Sequence, residues 1–290
     1  MRRFRPIYVL TLVIIIALLA GFSIYADVPD DGNSASGRDS SPAVPGEGDA
    51  SDGGERAGHQ DGRDDLYDEN PRDPGEEDTM LPALEDTVTI CPEGEKVVTN
   101  PDDILVLVNK ERNLPADYVP SDLVEPDIPF PFEGDHPKKL MRVEAAEALE
   151  QLVAGAWDEG LEIYGLSGYR SYATQAIIFQ NNVERRGEEE ANKFSARPGQ
   201  SEHQTGLAMD VTSAIVNFRL VQSFGDTPEG RWISEHAAEY GFIVRYPRGS
   251  EDITGYQYEP WHLRYVGVEH ARAIVEADVT LEEYLGQSFD

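Results

Sequence analysis

The residues able to do chemistry gather in two stretches. The first, SARPGQSEHQTGLAMDV over residues 195–211, sets His203 seven residues before Asp210 with Gly206 between them. The second, EPWH, lies far downstream and holds Glu259 and His262. Two imidazoles and one carboxylate suffice to hold a zinc ion while leaving one coordination place for water. The same set suits calcium or magnesium poorly, since both favour all-oxygen shells. A glutamate beside the metal could take the proton of the water. We read Glu259 in that part, with a fourth ligand or a histidine-orienting partner as the alternatives. Spacing alone does not make these groups meet. Along an unbroken strand, residues seven apart point to opposite faces, so Gly206 must supply a bend. Likewise, Glu259 and His262 share a face only if Pro260 interrupts the strand or opens a turn.

Four other histidines carry no comparable case: His59, His136, His236 and His270. His236 and His270 fall inside helical patterns, where surface or packing roles suffice. Arg170, in SGYRSY, stands just ahead of a helical pattern. A helix N-terminus offers free N–H groups and a guanidinium offers a bidentate fork, a combination that could seat the free carboxylate of a peptide. An arginine in such a turn is otherwise a solvated or ion-paired surface group.

The elements that must position these groups can be sketched. A short apolar run (ILVLV, residues 104–108) is followed by NKERNLP and a stretch punctuated by Pro115, Pro120, Pro126, Pro129 and Pro131. Residues 138–157 read as a helix with Leu140, Val143, Leu149, Val153 and Ala156 on one face, stopped by Gly160. LEIYGL alternates like a strand, and residues 172–182 form a helical pattern through Ala176, Ile177, Phe179 and Val183. Residues 228–240 read as a helix facing Trp232, Ile233 and Ala237 inward, with Gly241 as its stop. FIVRY and WHLRYV are strands, residues 268–276 a helix, and Thr280 with Glu283 a capping box before a last short helix. Helices and short strands mix without strict alternation, which favours an α+β fold over a doubly wound sheet.

Ahead of this domain the chain changes character. Arg2, Arg3 and Arg5 precede an uncharged run over residues 7–26, long enough to cross a bilayer as a helix. The arginines place its N-terminus inside. Neither Ala26 nor Ala20 ends an A-x-A-like site, so we expect an uncleaved membrane anchor, with a cleaved signal peptide as the rival. Residues 27–86 hold 19 Asp or Glu against four Arg amid Gly, Ser and Pro. Such a segment buries too little apolar surface to offset the entropy of ordering, and residues 27–96 are read as an acidic linker ahead of a single domain over 97–290. The net charge of −31 argues against a nucleic-acid partner. One cysteine, Cys91, excludes an internal disulfide.

Taken together, SGYRSYATQ, SARPGQSEHQTGLAMDV, ITGYQYEPWHLRYVG and the LVNKERNLP opening resemble the VanY-like D-alanyl-D-alanine carboxypeptidases and their L,D-carboxypeptidase relatives. These are zinc peptidases that trim peptidoglycan stem peptides. The resemblance spans about residues 107–285. It implies one zinc ion on His203, Asp210 and His262, Glu259 as the catalytic base, and Arg170 on the terminal carboxylate of the substrate. Gln175 and Ser201 would add contacts, and Trp261 would line the site beside the metal. It also implies a compact α+β domain with a small antiparallel sheet flanked by helices. The expectation is a membrane-anchored, monomeric zinc carboxypeptidase outside the cell that removes the terminal D-alanine of a stem peptide. An L,D rather than D,D bond is the near alternative. A wall-binding module that keeps the zinc fold without turnover is the distant one, and Glu259 speaks against it.

Overall fold

The computed structural model describes residues 83–287. The expected anchor and most of the acidic linker lie outside the described residues. No helix among the described residues is long and apolar enough to cross a membrane.

The strands are β1 (Val88–Ile90), β2 (Lys96–Val98), β3 (Arg112–Asn113), β4 (Leu123–Val124), β5 (Met141–Arg142), β6 (Tyr164–Ser167), β7 (Ala208–Thr212), β8 (Phe242–Tyr246) and β9 (Glu259–Tyr265). The helices are α1 (Val143–Asp158), α2 (Tyr172–Arg186), α3 (Glu188–Phe194), α4 (Pro228–His236), α5 (Glu251–Thr254), α6 (Val268–Ala277) and α7 (Leu281–Tyr284). The organising sheet has the order β6-β7-β9-β8, antiparallel throughout. Smaller pairings, β1-β2-β3 and β4-β5, lie outside it. The domain is therefore α+β, as the mixed pattern implied.

The central sheet sorts its residues by strand alternation. Met209 and Val211 of β7, with Trp261, Leu263 and Tyr265 of β9, join the main apolar core with Leu149, Leu152 and Val153 of α1 and Trp232 and Ile233 of α4. The intervening residues Asp210, His262 and Arg264 are polar and equally buried. A second apolar cluster joins Leu105, Leu107, Ile243 and Val266 to Ala271 and Ile274 of α6 and Leu281 of α7.

Several expected elements appear with shifted ends. The helix expected over residues 138–157 begins at Val143, because Pro137–Lys139 forms a separate 3-10 turn and Met141–Arg142 pairs with β4. Val143, expected to face inward, is 37% exposed at the first helical position. Ile177 of α2 is 65% exposed, whereas Gln175 and Phe179 carry the buried face. The helix expected over 228–240 is α4 followed by a 3-10 turn at Ala237–Tyr240, closed by Gly241 at φ 83°. FIVRY is β8, and the Thr280–Glu283 capping box is formed.

Candidate metal centre

Strand register does most of the assembly. Asp210 of β7 lies directly opposite His262 of β9, although 52 residues separate them in the chain. On one face of an antiparallel pair, directly opposed side chains are close neighbours. The carboxylate Oδ1 of Asp210 sits 3.0 Å from His262 Nδ1. His203 arrives from a different element, the 3-10 turn Glu202–Thr205 just before β7. Gly206 ends that turn at φ 70°, in the left-handed region that favours glycine. A Cβ there would stand 2.9 Å from Leu123 Cδ2 and 3.0 Å from Arg142 Cγ. The bend required between His203 and Asp210 is thus present, and Gly206 makes it. It brings His203 Nε2 to 3.4 Å from Asp210 Oδ2.

The two imidazole rings meet edge to face, with centroids 4.9 Å apart. Ligand atoms of His203, Asp210 and His262 all lie within 4.8 Å of one another, and all three residues are buried. The outer nitrogens of both rings are engaged. His203 Nδ1 is 2.9 Å from the carbonyl of Gly168, and His262 Nε2 is 3.3 Å from Glu202 Oε2. Gly168 cannot carry a side chain, since a Cβ would lie 2.4 Å from the Leu140 carbonyl. With those outer contacts made, His203 Nε2 and His262 Nδ1 face Asp210, and two nitrogens with one oxygen form a donor set suited to zinc.

Glu259 opens β9, opposite Tyr246 of β8. Between the Val244–Leu263 and Tyr246–Glu259 pairs, β9 takes two residues more than β8, so the register breaks beside Pro260. The strand interruption needed to bring Glu259 and His262 together is this bulge. Burial lifts the Glu259 carboxyl to about 8; Asp210 adds to the rise, while His262, Arg170 and Lys110 oppose it. Burial lowers the pKa of His203. His262 rises to about 9 despite burial, because both ring nitrogens face carboxylates, Asp210 and Glu202. Burial also works against the charge of Asp210, but the two histidines outweigh it and hold its pKa well below the usual carboxylate range.

The carboxylate-binding residues expected upstream also meet. Arg170 Nη1 donates to Gln175 Oε1 at 2.9 Å, and Nη2 donates to Ser167 Oγ at 3.0 Å. Gln175 in turn donates to the Ala196 carbonyl at 2.6 Å. The Arg170 amide donates to the His203 carbonyl at 3.1 Å, which ties this turn to the metal cluster. Ser201 is buried one residue ahead of Glu202. Trp261, placed beside the metal by the resemblance, sits with the main core through strand alternation.

The chain also matches known proteins. Residues 138–268 match the family model VanY: D-alanyl-D-alanine carboxypeptidase. The Bacillus subtilis (strain 168) protein named "Putative carboxypeptidase YodJ" is 52% identical over 192 residues, covering 66% of this chain and 70% of that protein. The chain belongs to the VanY family of carboxypeptidases. Among solved structures, the LdcB LD-carboxypeptidase is 49% identical, covers 70% of this chain and 94% of its own, and superposes with a TM-score of 0.67. A mutant of the vancomycin-resistance D,D-pentapeptidase VanY, solved in complex with Zn(II), is 33% identical with a TM-score of 0.52, covering 63% and 98% of the two chains. Family membership makes the protein a peptidase.

Four further buried residues shape this region, and residue type and spacing do not single them out: Glu202, Arg245, Arg264 and Glu282. Glu202 adjoins His203, and that adjacency was the only local signal. The other three look like ordinary surface charges until the sheet is assembled.

Proposed function

We propose that this protein is a zinc carboxypeptidase that removes the C-terminal D-alanine from peptidoglycan stem peptides. The observation that carries the reading is the buried cluster of His203 Nε2, Asp210 and His262 Nδ1, with the buried carboxyl of Glu259 on the same strand as His262. A zinc ion on those three residues would supply an activated water and polarise the scissile carbonyl. Glu259 accepts the proton of the attacking water as general base and returns it to the nitrogen of the departing amino acid. Its dry surroundings strengthen it as a base, and a neighbouring cation draws it back to the ionised form. Arg170, braced by Gln175 and Ser167, binds the terminal carboxylate and so restricts cleavage to the last residue. Buried Ser201 adds a further substrate contact, and Trp261 backs β9 from the core.

The bond cleaved has two readings, and the stronger similarity to an L,D-carboxypeptidase favours the tetrapeptide. Incubation of the protein with defined tetra- and pentapeptide stems, read by mass spectrometry, separates them. D-alanine release from the tetrapeptide alone selects the L,D bond, and release from the pentapeptide selects the D,D bond. Hydrolysis should cease with a chelator and return with zinc; activity indifferent to chelation would overturn the metal reading.

Location belongs to the same proposal. The arginine-flanked apolar run over residues 7–26 and the acidic stretch after it support a protein anchored in the membrane with its domain outside, reaching the wall on a tether, and we take it to act as a monomer. A flexible chain of some sixty residues spans about 45 Å, and more with self-repulsion.

A further inference from the structure

Glu202 is 1% exposed, and its two oxygens serve different partners. Oε1 accepts from Arg245 Nε at 2.7 Å and from Arg264 Nη1 at 2.6 Å. Oε2 faces His262 Nε2 at 3.3 Å. Arg245 is held from its other side by Glu282 of α7, through bonds of 2.8 and 2.6 Å. Arg264 Nη2 gives to the carbonyls of Ile104 and Val106, each at 2.8 Å, and its Nε gives to that of Tyr265 at 3.0 Å. Two arginines and two glutamates balance in charge, and every arginine–glutamate bond among them is buried.

Stability does not explain such a network, because buried ion pairs can often be replaced by apolar residues at no loss. Orientation of a buried ring does explain it. A ligating histidine has one nitrogen for the metal, and the hydrogen bond made by the other decides which. Resting on the metal-site reading above, we infer that Glu202 is a positioning residue. It takes the Nε2–H of His262, fixes that tautomer, and leaves the Nδ1 lone pair turned toward Asp210 and the shared cation. Arg245 and Arg264 hold the carboxylate in place for this task. His203 is handled the opposite way round: the Gly168 carbonyl takes Nδ1–H and leaves Nε2 inward.

The test compares zinc affinity in the full chain, measured by competition with a chromophoric chelator, with the fold checked by circular dichroism. In Glu202→Gln the amide oxygen remains on the arginines and the –NH2 meets His262 Nε2. That forces the Nδ1–H tautomer and blocks the inward nitrogen. Zinc affinity should fall about 10–100-fold, the range seen when such supporting partners are removed. Glu202→Asp keeps the charge for both arginines but draws the carboxylate back from the ring, and should also weaken zinc while the fold persists. A folded variant of either kind that binds zinc within twofold of the unaltered protein would overturn the inference. If neither variant folds, 1H–15N spectra of the zinc-loaded unaltered protein decide. A proton on His262 Nε2 supports the assignment, and one on Nδ1 refutes it. Failure of the unaltered protein to bind zinc would instead sink the metal reading itself.

Discussion

Metal uptake should be coupled to proton release, and the structure indicates by how much. His262 sits between two carboxylates, with Asp210 3.0 Å from Nδ1 and Glu202 3.3 Å from Nε2. Both nitrogens therefore hold protons in the metal-free protein, and the ring titrates at about 9. A cation on Nδ1 must displace one of those protons, so apparent affinity rises with pH below that value. The expected slope is about one decade per pH unit, or about 1.4 kcal/mol. Between pH 6 and 8 the zinc affinity should thus rise about 100-fold through His262 alone. His203 adds less to this slope, because burial lowers its pKa and its Nδ1 faces a carbonyl. Glu259, lifted to about 8 by burial, adds a second release as the cation draws its proton off. Calorimetry at pH 7 in buffers of differing ionisation enthalpy should count between one and two protons per ion, and Glu259→Gln should reduce the count toward one. An affinity flat within threefold from pH 6 to 8 would refute the assignment of a charged, doubly bonded His262.

Other outcomes follow from the same geometry. Glu259→Gln should keep zinc content unchanged while hydrolysis of a stem peptide falls about 10²–10⁴-fold, as read by D-alanine release alongside elemental analysis. Arg170→Lys removes the fork that Gln175 and Ser167 brace, and kcat/KM should drop about 10–100-fold for substrates with a free terminal carboxylate. A substrate with an amidated terminus should lose that sensitivity. Gly206→Ala places a Cβ at φ 70° against Leu123 and Arg142, which should cost about 1–3 kcal/mol in denaturant unfolding. In the metal-free protein, burial makes ionised Glu259 costly, a penalty that grows as pH rises from 4.5 to about 8, while the carboxylate contacts of His262 give stability that is fully present below 6.5 and lost as pH climbs through about 9. Its melting temperature should fall from pH 6 to 9, while that of the zinc-loaded protein should not.

Local patterns were legible where one strand or helix face meets one core. FIVRY is β8, Trp232 and Ile233 face the core from α4, and Thr280 caps α7. The periodicity of Leu140 and Val143 extends α1 too far toward its N-terminus, because Pro137 and the short pairing of Met141 take that stretch out of the helix. Ile177 failed for a related reason: Gln175 takes a buried place beside Arg170 that periodicity gives to an apolar residue. The run ILVLV forms no strand. It is buried chain whose carbonyls at Ile104, Val106 and Leu107 are spent on Arg264 and Arg112.

The candidate site divides along the same line. His203, Asp210, Glu259 and His262 could be named from residue type and neighbours, but their convergence depends on a cross-strand register and a bulge, and neither is written in any local window. The ring of Glu202, Arg245, Arg264 and Glu282 was invisible for a deeper reason. Its hydrogen-bonded partners lie 37 to 62 residues apart in sequence, and a charged residue reads as exposed unless its partner is already known. Those two failures are linked. The alternation that sends Leu263 and Tyr265 into the main core sends His262 and Arg264 to the opposite face, where only charge can satisfy charge. Once the register places a metal-ligating histidine on that face, a buried carboxylate at its back becomes useful, and the arginines become necessary to hold it. The ion network is therefore a consequence of building the metal site on a central strand rather than on a loop.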